Sequence, residues 1–216
     1  MFIVLEGIDG CGKSTQSSRL GEWLSGLLGL DAVLVTYEPG GWPGGEAVRA
    51  LARGGDFSSV WSEFFLFMMD RCEHVARVIN PAIAGKKVVL CDRYMPSTLA
   101  YQVLSSTIMT ESAAEKIIGL SKLIGLPQPD CTFFLDVNVS VAKSRMDARG
   151  KRDSFDKRGE DFFERVRLGY ERLMRSGAGT EWVRLDAALD EESVFAALRG
   201  HVERLMSLEG TEMPDK

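Results

Sequence analysis

Gly7-Ile8-Asp9-Gly10-Cys11-Gly12-Lys13-Ser14 satisfies the pattern G-x-x-x-x-G-K-[ST], and no other stretch restricts the fold of this chain so tightly. The short apolar run Phe2-Ile3-Val4-Leu5 precedes it, and Leu20, Trp23, Leu24, Leu27 and Leu28 follow at helical spacing, so the segment joins a strand to a helix. Glycines at 7, 10 and 12 let successive backbone N–H groups turn inward at the positive end of that helix, which makes a cradle for phosphate. The expected ligand is a nucleoside triphosphate, ATP or GTP, held by Gly7, Ile8, Asp9, Gly10, Cys11, Gly12, Lys13, Ser14 and Thr15. Lys13, expected on the solvent side of the loop, would reach the β- and γ-phosphates, and the Ser14 hydroxyl would ligate Mg²⁺.

The rest of the composition narrows the class of partner. With 216 residues, 45% of them hydrophobic, the chain can bury one substantial α/β core, and one domain over 1–208 with a loose tail at 209–216 is expected. A formal net charge of −5 leaves no overall basic field for a nucleic-acid backbone, so a small anion in a local cationic pocket fits better. No apolar run approaches the ~18 residues of a membrane span. Met1 leads directly into the first strand without a basic leader, which predicts a cytoplasmic protein. Cys11, Cys72, Cys91 and Cys131 are scattered without Cys-x-x-Cys pairing, which argues against both a zinc site and a disulfide framework.

Along the chain, strand and helix patterns alternate. Ala32 to Thr36 reads as a second strand running into Glu38-Pro39-Gly40-Gly41-Trp42-Pro43-Gly44-Gly45, a shaped loop, followed by a short helix from Glu46 to Arg53. From Ser58 to Ile79 a helical pattern carries apolar residues on more than one face, as expected of a buried helix, a subunit interface or a face lining a base pocket. Val88-Val89-Leu90 is a buried-type strand ending in Asp92, which suits a Mg²⁺ site, but Phe133-Phe134-Leu135-Asp136 ends another strand and periodicity does not choose between the two carboxylates. Helical stretches from Ser97 to about Leu104 and from Glu111 to Ile124 separate these strands, giving a right-handed parallel crossover. After a helix from Ser140 to Met146 comes an arginine-rich segment, about 147–159. Taken alone it reads as a solvated loop; beside a phosphate loop it reads as a mobile lid that neutralises charge on a transferring phosphoryl group. Glu160 to Arg175 is helix, Trp182 to Asp186 a fifth strand, and Glu191 to Leu208 a closing amphipathic helix. The fold class is therefore α/β, a five-stranded parallel sheet between helices in the manner of P-loop nucleotide-binding proteins.

Taken together, the segments resemble the thymidylate kinase family. The resemblance rests on Glu6 to Thr15, Glu38-Pro39-Gly40-Gly41, Gly45-Glu46 with Arg49, Leu66 to Arg71 with His74-Val75, Asp92-Arg93-Tyr94 with Ser97 and Ala100-Tyr101-Gln102, and Pro127, Pro129-Asp130 and Leu135-Asp136-Val137. It implies phosphoryl transfer from ATP, with Mg²⁺, to dTMP, a step toward dTTP, by a homodimer. It further implies that Phe67 stacks on the thymine and that Arg71 approaches the base edge or the acceptor phosphate. Arg93 and Arg49 would clamp that phosphate, with Glu38, Pro39, Ser97, Thr98 and Gln102 completing the acceptor pocket. The Tyr101 ring would lie under the sugar as a steric floor, excluding a 2′-hydroxyl, so that its own hydroxyl would matter little. Asp9 would orient an arginine or the 3′-hydroxyl. Arg149 would cover the adenine or the γ-phosphate, and Asp153 and Asp156 would help close the lid. Asp92 joins Ser14 as the metal pair, and Lys13, Arg93, Arg149, Arg152 and Asp9 form the catalytic set.

The chain departs from the family pattern at several places. Tyr37 stands where an arginine usually precedes Glu-Pro-Gly-Gly, Trp42 where a threonine is common, Val103-Leu104-Ser105 replaces a glycine-rich continuation, and Ser154 replaces a frequent lid arginine. In some family members an arginine follows the loop acid, whereas here that residue is Gly10, so the transition-state cation is expected from the lid. These differences keep three alternatives open: a kinase for another pyrimidine monophosphate, a P-loop ATPase switch, and an inactive nucleotide-binding paralogue.

Overall fold

The computed structural model describes residues 1–106, 111–149, 158–177 and 180–208. The tail at 209–216 and the greater part of the expected lid, 150–157, lie outside the described residues.

Five strands form one parallel sheet in the order β2-β3-β1-β4-β5: β1 is Phe2–Glu6, β2 Val33–Tyr37, β3 Val88–Asp92, β4 Cys131–Asp136 and β5 Glu181–Asp186. The three inner strands read as unbroken apolar runs because both faces are covered, and Ile3, Val4, Leu5, Leu90, Cys131 and Phe133 are completely buried. Leu5 lies opposite Asp92 on one side and Phe133 on the other, while Tyr37 pairs with Asp92 and Asp136 with Asp186. This register brings the carboxyl ends of all five strands to one edge. The chain leaves β1 toward β2 and leaves neighbouring β4 toward β5, in opposite directions, so the loops part above the centre of the sheet and leave a crevice there.

Helices cover both faces: α1 (Lys13–Leu28), α2 (Glu46–Gly54), α3 (Val60–His74), α4 (Asn80–Ala84), α5 (Met95–Thr98), α6 (Glu111–Leu123), α7 (Val139–Arg149), α8 (Glu160–Arg175) and α9 (Glu191–Leu208). The expected long helix from Ser58 to Ile79 is present from Val60 but is not α throughout. Ser59 caps α3, its hydroxyl accepting from Trp61 N at 3.2 Å, and after His74 the helix widens into a π-turn over Val75–Ile79 before α4. A second π-turn, Leu99–Leu104, extends α5 and carries Tyr101 and Gln102. Such widenings cost regular hydrogen bonding and recur where a side chain must be aimed at a site.

Asp136 closes β4 with a clamp. Its Oδ1 accepts from Arg167 Nε on α8 at 2.6 Å, and its Oδ2 accepts from Arg184 Nε on β5 at 3.0 Å, with Arg184 Nη2 closer still. Burial alone would raise this carboxyl, but the hydrogen bonds and charges of Arg167 and Arg184 outweigh it and hold the group below its usual range. The clamp joins β4, β5 and α8.

A carboxyl whose folded-state pKa lies below the unfolded one stabilises the fold above the unfolded value, and that contribution fades as pH falls through the folded value. Asp136→Asn is therefore expected to lower stability by about 1–2 kcal/mol at neutral pH, the half-exposed Arg184 side being screened by solvent. In thermal melts from pH 7 to pH 2, the gap between variant and native protein should close at the acid end.

Candidate functional site

At the crevice, the phosphate loop adopts the backbone that its glycines permit, with φ of 148° at Gly7, 86° at Gly10 and 101° at Gly12. Gly10 is fixed by contact as well as by conformation: a Cβ there would stand 2.4 Å from the carbonyl oxygen of Ala142 on α7. The place where some family members carry an arginine is thus closed to any side chain. Lys13 departs from expectation. It is 6% exposed and not on the solvent side; its Nζ donates to Gly7 O and Ile8 O, each at 2.9 Å. The ammonium is folded into the loop, where phosphate oxygens can take the place of the carbonyls.

Arg93 stands at the end of β3 in the left-handed region, φ 74°, which is unusual for a residue with a side chain. Its N–H still bonds Leu5 O at 3.0 Å, and the next N–H, of Tyr94, bonds not a strand but the Glu6 carboxylate at 2.8 Å. Glu6 also accepts from the Ser97 hydroxyl at 2.6 Å and the Tyr170 hydroxyl at 2.8 Å. This buried carboxyl, pushed upward by desolvation against those hydrogen bonds, turns the chain so that Arg93 points back over the phosphate loop. There its Nη2 pairs with Asp9 Oδ1 at 2.5 Å, and its Nη1 donates to Gly7 O at 3.2 Å and Ser97 Oγ at 3.1 Å. Of the two roles expected for Asp9, the structure displays the first, orientation of an arginine.

Tyr101 does more than supply a ring. Its hydroxyl donates to Asp9 Oδ2 at 2.8 Å and accepts from Asp9 N at 3.1 Å, while the ring lies under Arg93, 5.0 Å from guanidinium carbon to centroid. Burial tends to raise the Asp9 carboxyl, yet Arg93, Lys13 and the Tyr101 hydroxyl together bring it below its usual range.

The opposite wall is built on a buried ion pair. Arg71, 1% exposed, binds Glu38 Oε2 at 2.7 Å and Thr98 Oγ1 at 2.9 Å. Glu38 Oε1 meets His74 Nδ1 at 3.1 Å, and His74 Nε2 meets Thr36 Oγ1 at 2.7 Å. Asp70 accepts from Gly40 N at 3.0 Å and from the Trp42 indole at 2.8 Å, so the unexpected Trp42 ties the Pro-Gly loop to α3. Tyr37 has a comparable use, its ring lying 4.5 Å beneath the Arg49 guanidinium, whose Nη1 donates to Pro39 O at 2.8 Å. Both departures from the family pattern are thereby part of a connected wall.

Between these walls lies a cavity of about 340 Å³. Asp9, Gly10, Gly12, Lys13, Ser14 and Thr15 form one side. Glu38, Pro39, Arg49, Phe67 and Arg71 face them across it, and Asp92, Arg93, Ser97, Thr98, Tyr101 and Gln102 close the base. The sequence-predicted residues therefore converge, with Gly7, Ile8 and Cys11 contributing loop backbone. The Arg149 side chain and Arg152, Asp153, Ser154 and Asp156 lie outside the described residues. Glu6, Asp70 and Tyr170, which hold the two walls in place, are not among the sequence-predicted site residues; the one signal available is a carboxylate inside an otherwise apolar strand or helix, as with Glu6 after Phe2 to Leu5.

The two candidate metal carboxylates separate clearly. Asp136 is occupied by Arg167 and Arg184, whereas Asp92 Oδ2 accepts from Ser14 Oγ at 2.5 Å and its buried Oδ1 has no hydrogen-bond partner among the described residues. A hydroxyl beside an unsatisfied carboxylate oxygen is a donor set suited to Mg²⁺. Among the described residues no three His, Cys, Asp or Glu cluster, so such a cation would complete its shell with phosphate and water.

Comparison with known proteins gives the family and the fold. The profile of the family described as Thymidylate kinase matches residues 5–198. A thymidylate kinase of Pseudomonas putida strain GB-1 is 41% identical over 212 residues, 94% of this chain and 97% of its own. One from Desulfovibrio desulfuricans is 37% identical over 220 residues, 97% of this chain and 98% of its own. The crystal structure of thymidylate kinase from Ehrlichia chaffeensis superposes with a TM-score of 0.72 at 32% identity, covering 94% of this chain and 98% of that one.

Because the Tyr101 hydroxyl is engaged by both the carboxylate and the backbone of Asp9, Tyr101→Phe should lower kcat/KM for phosphoryl transfer about tenfold, the loss of one charge-assisted hydrogen bond. Steady-state kinetics on the purified variant check this, and an unchanged value would return Tyr101 to the role of a steric floor alone.

Proposed function

The chain belongs to the thymidylate kinase family, an ATP-dependent nucleoside-monophosphate kinase that phosphorylates dTMP to dTDP, and from that premise we propose which of its residues carry the transfer. The observation that supports the assignment most directly is the Asp9–Arg93 pair, which suspends a planar cation between the phosphate loop and the acceptor wall.

In this reading the loop backbone from Gly7 to Thr15 and the Lys13 ammonium hold the ATP phosphates, and Lys13 exchanges loop carbonyls for phosphate oxygens when nucleotide enters. Ser14 and Asp92 would hold Mg²⁺, which would supply charge neutralisation to the bound phosphates. Phe67 stacks on the thymine, Gln102 meets its edge, and Arg71, kept rigid by Glu38 and Thr98, borders the base and acceptor phosphate. Arg93 and Arg49 grip the 5′-phosphate of dTMP, with Pro39, Ser97 and Thr98 beside them. Tyr101 supports Arg93 and Asp9 and underlies the sugar. The attacking oxygen belongs to a phosphate that is already ionised, so no general base is required. The protein's contribution is alignment, charge stabilisation and exclusion of water. Gly10 leaves no room for a cation in the loop beyond Lys13, which favours Arg149 and Arg152 as the groups that meet the transferring phosphoryl.

A homodimer completes the proposal. Trp61, Phe65 and Met69 are spaced four residues apart along α3 and all are exposed, a continuous apolar stripe on the outer side of the helix whose inner side carries Phe67 and Arg71. No described helix is long and apolar enough to cross a membrane, and a cytoplasmic site of action is proposed on the same chemistry.

ADP formation that depends on dTMP tests the central reading, with dUMP, dCMP and UMP assayed alongside. Arg149→Ala/Arg152→Ala should lower kcat by ~10³-fold or more with little change in ATP affinity. If the double variant keeps its kcat and loses only nucleotide affinity, Arg93 is the catalytic cation. In sedimentation velocity at micromolar concentration the native chain should run as a dimer and Phe65→Glu as a monomer; a native monomer would remove the dimer from the proposal.

A further inference from the structure

The guanidiniums that line the cavity are not held alike. Arg93 pairs with Asp9 and Arg71 with Glu38, so a carboxylate offsets each of those charges before any ligand enters. Arg49 on α2 is held by uncharged groups: its Nη1 donates to Pro39 O at 2.8 Å, and its guanidinium lies over the Tyr37 ring, 4.5 Å from the centroid. An aromatic face attracts a cation without neutralising it. The positive charge of Arg49 is thereby left available to an anion in the cavity.

The surroundings work against that placement. Burial, and then the like charge of Arg53 one turn further along α2, weaken the hold of Arg49 on its proton. Asp92 lines the same cavity with an oxygen that has no hydrogen-bond partner among the described residues, and it stands opposite Tyr37 in the register of β2 and β3. A long arginine near an unsatisfied carboxylate pairs with it unless another group holds the guanidinium elsewhere. Tyr37 is that group. It is the last residue of β2 and 42% exposed, so its ring serves the cavity mouth and not the core. An arginine at this position would set a like charge beside Arg49, whereas the ring offers it a face.

We propose that Tyr37 is a positioning residue for the acceptor phosphate: its ring holds the Arg49 guanidinium over the cavity with its charge uncompensated, so that Arg49 recognises the phosphate of the nucleoside monophosphate. The inference rests on the reading that Arg49 grips that phosphate. Tyr37 acts through Arg49, by its ring face and not by its hydroxyl, and on the phosphate and not on the base or sugar.

The test is calorimetric titration of dTMP and of thymidine, which keeps the base and sugar but lacks the phosphate, into the native enzyme, Tyr37→Phe, Tyr37→Leu and Arg49→Gln. Tyr37→Leu keeps apolar bulk and removes the aromatic face. It should weaken dTMP binding about tenfold and leave thymidine binding at the native value, while Tyr37→Phe binds both ligands as the native chain does. In steady-state assays the same loss should appear as a higher KM for dTMP with kcat little changed. An equal loss of both ligands in Tyr37→Leu overturns the proposal, because the ring would then only shape the pocket, and so does native dTMP affinity in that variant. Tyr37→Phe as weak as Tyr37→Leu overturns it too, since the hydroxyl would be the acting group. Arg49→Gln separates the two levels: if it keeps the native ratio of dTMP to thymidine affinity, Arg49 does not grip the phosphate and both readings fall. If it alone loses that ratio, Arg49 grips the phosphate without help from Tyr37.

Discussion

The ion pair between Asp9 and Arg93 is the constraint on which the site depends. One partner belongs to the phosphate loop after β1 and the other to the end of β3, so the pair spans the crevice between two adjacent strands. Arg93 has its charge reinforced there: desolvation would weaken it, but Asp9 and the surrounding oxygens hold its proton more firmly than in water. The geometry is not free. A left-handed backbone at Arg93 costs on the order of 1 kcal/mol or more, and the Glu6 carboxylate, through Tyr94 N, Ser97 and Tyr170, holds that conformation in place. A buried carboxyl that does not itself line the cavity thus aims the arginine.

The acceptor wall follows the same logic with different parts. Arg71 and Glu38 are buried together, and a buried pair contributes little net stability unless its remaining donors and acceptors are met. Thr98 takes one guanidinium nitrogen, and His74 and Thr36 extend the carboxylate side into the loop after β2. The network therefore gives definition: it fixes how far α3 stands from the Pro-Gly loop, and with it the width of the slot beside Phe67. Gly41 belongs to this fit, since a Cβ there would lie 2.1 Å from Tyr37 O and 3.1 Å from His74 Nε2.

Several features could be read before any coordinates because they are local. The loop glycines, the strand before them and the helix after them lie within a few residues of each other, and Glu160–Arg175 and Glu191–Leu208 are helices whose apolar spacing is continuous along the chain. The helical pattern through Ile79 is matched by continuous helix, but apolar spacing does not distinguish α from the π-turn at Val75–Ile79, where hydrogen bonding changes and side-chain character does not. For Lys13 the sequence is misleading: its charge suggests solvent, while the carbonyls that receive it come from the folded loop.

By itself, then, the sequence determined the strand-loop-helix phosphate cradle, the parallel α/β class and the set of residues that could serve an acceptor, since those follow from backbone permissiveness, periodicity and residue chemistry over short spans. Only the tertiary structure sets Asp92 and Asp136, two carboxylates at the ends of similar strands, in different surroundings: one stands beside Ser14 with an oxygen that has no hydrogen-bond partner among the described residues, and the other is surrounded by Arg167 and Arg184. It likewise decided what Tyr37 and Trp42 do, which oxygen Arg93 grips, and why Gly10 admits no side chain. The physical reason is common to all of these: each depends on which atoms from distant parts of the chain come within about 3 Å of each other, a distance at which hydrogen bonds and steric exclusion act and which a one-dimensional pattern does not encode.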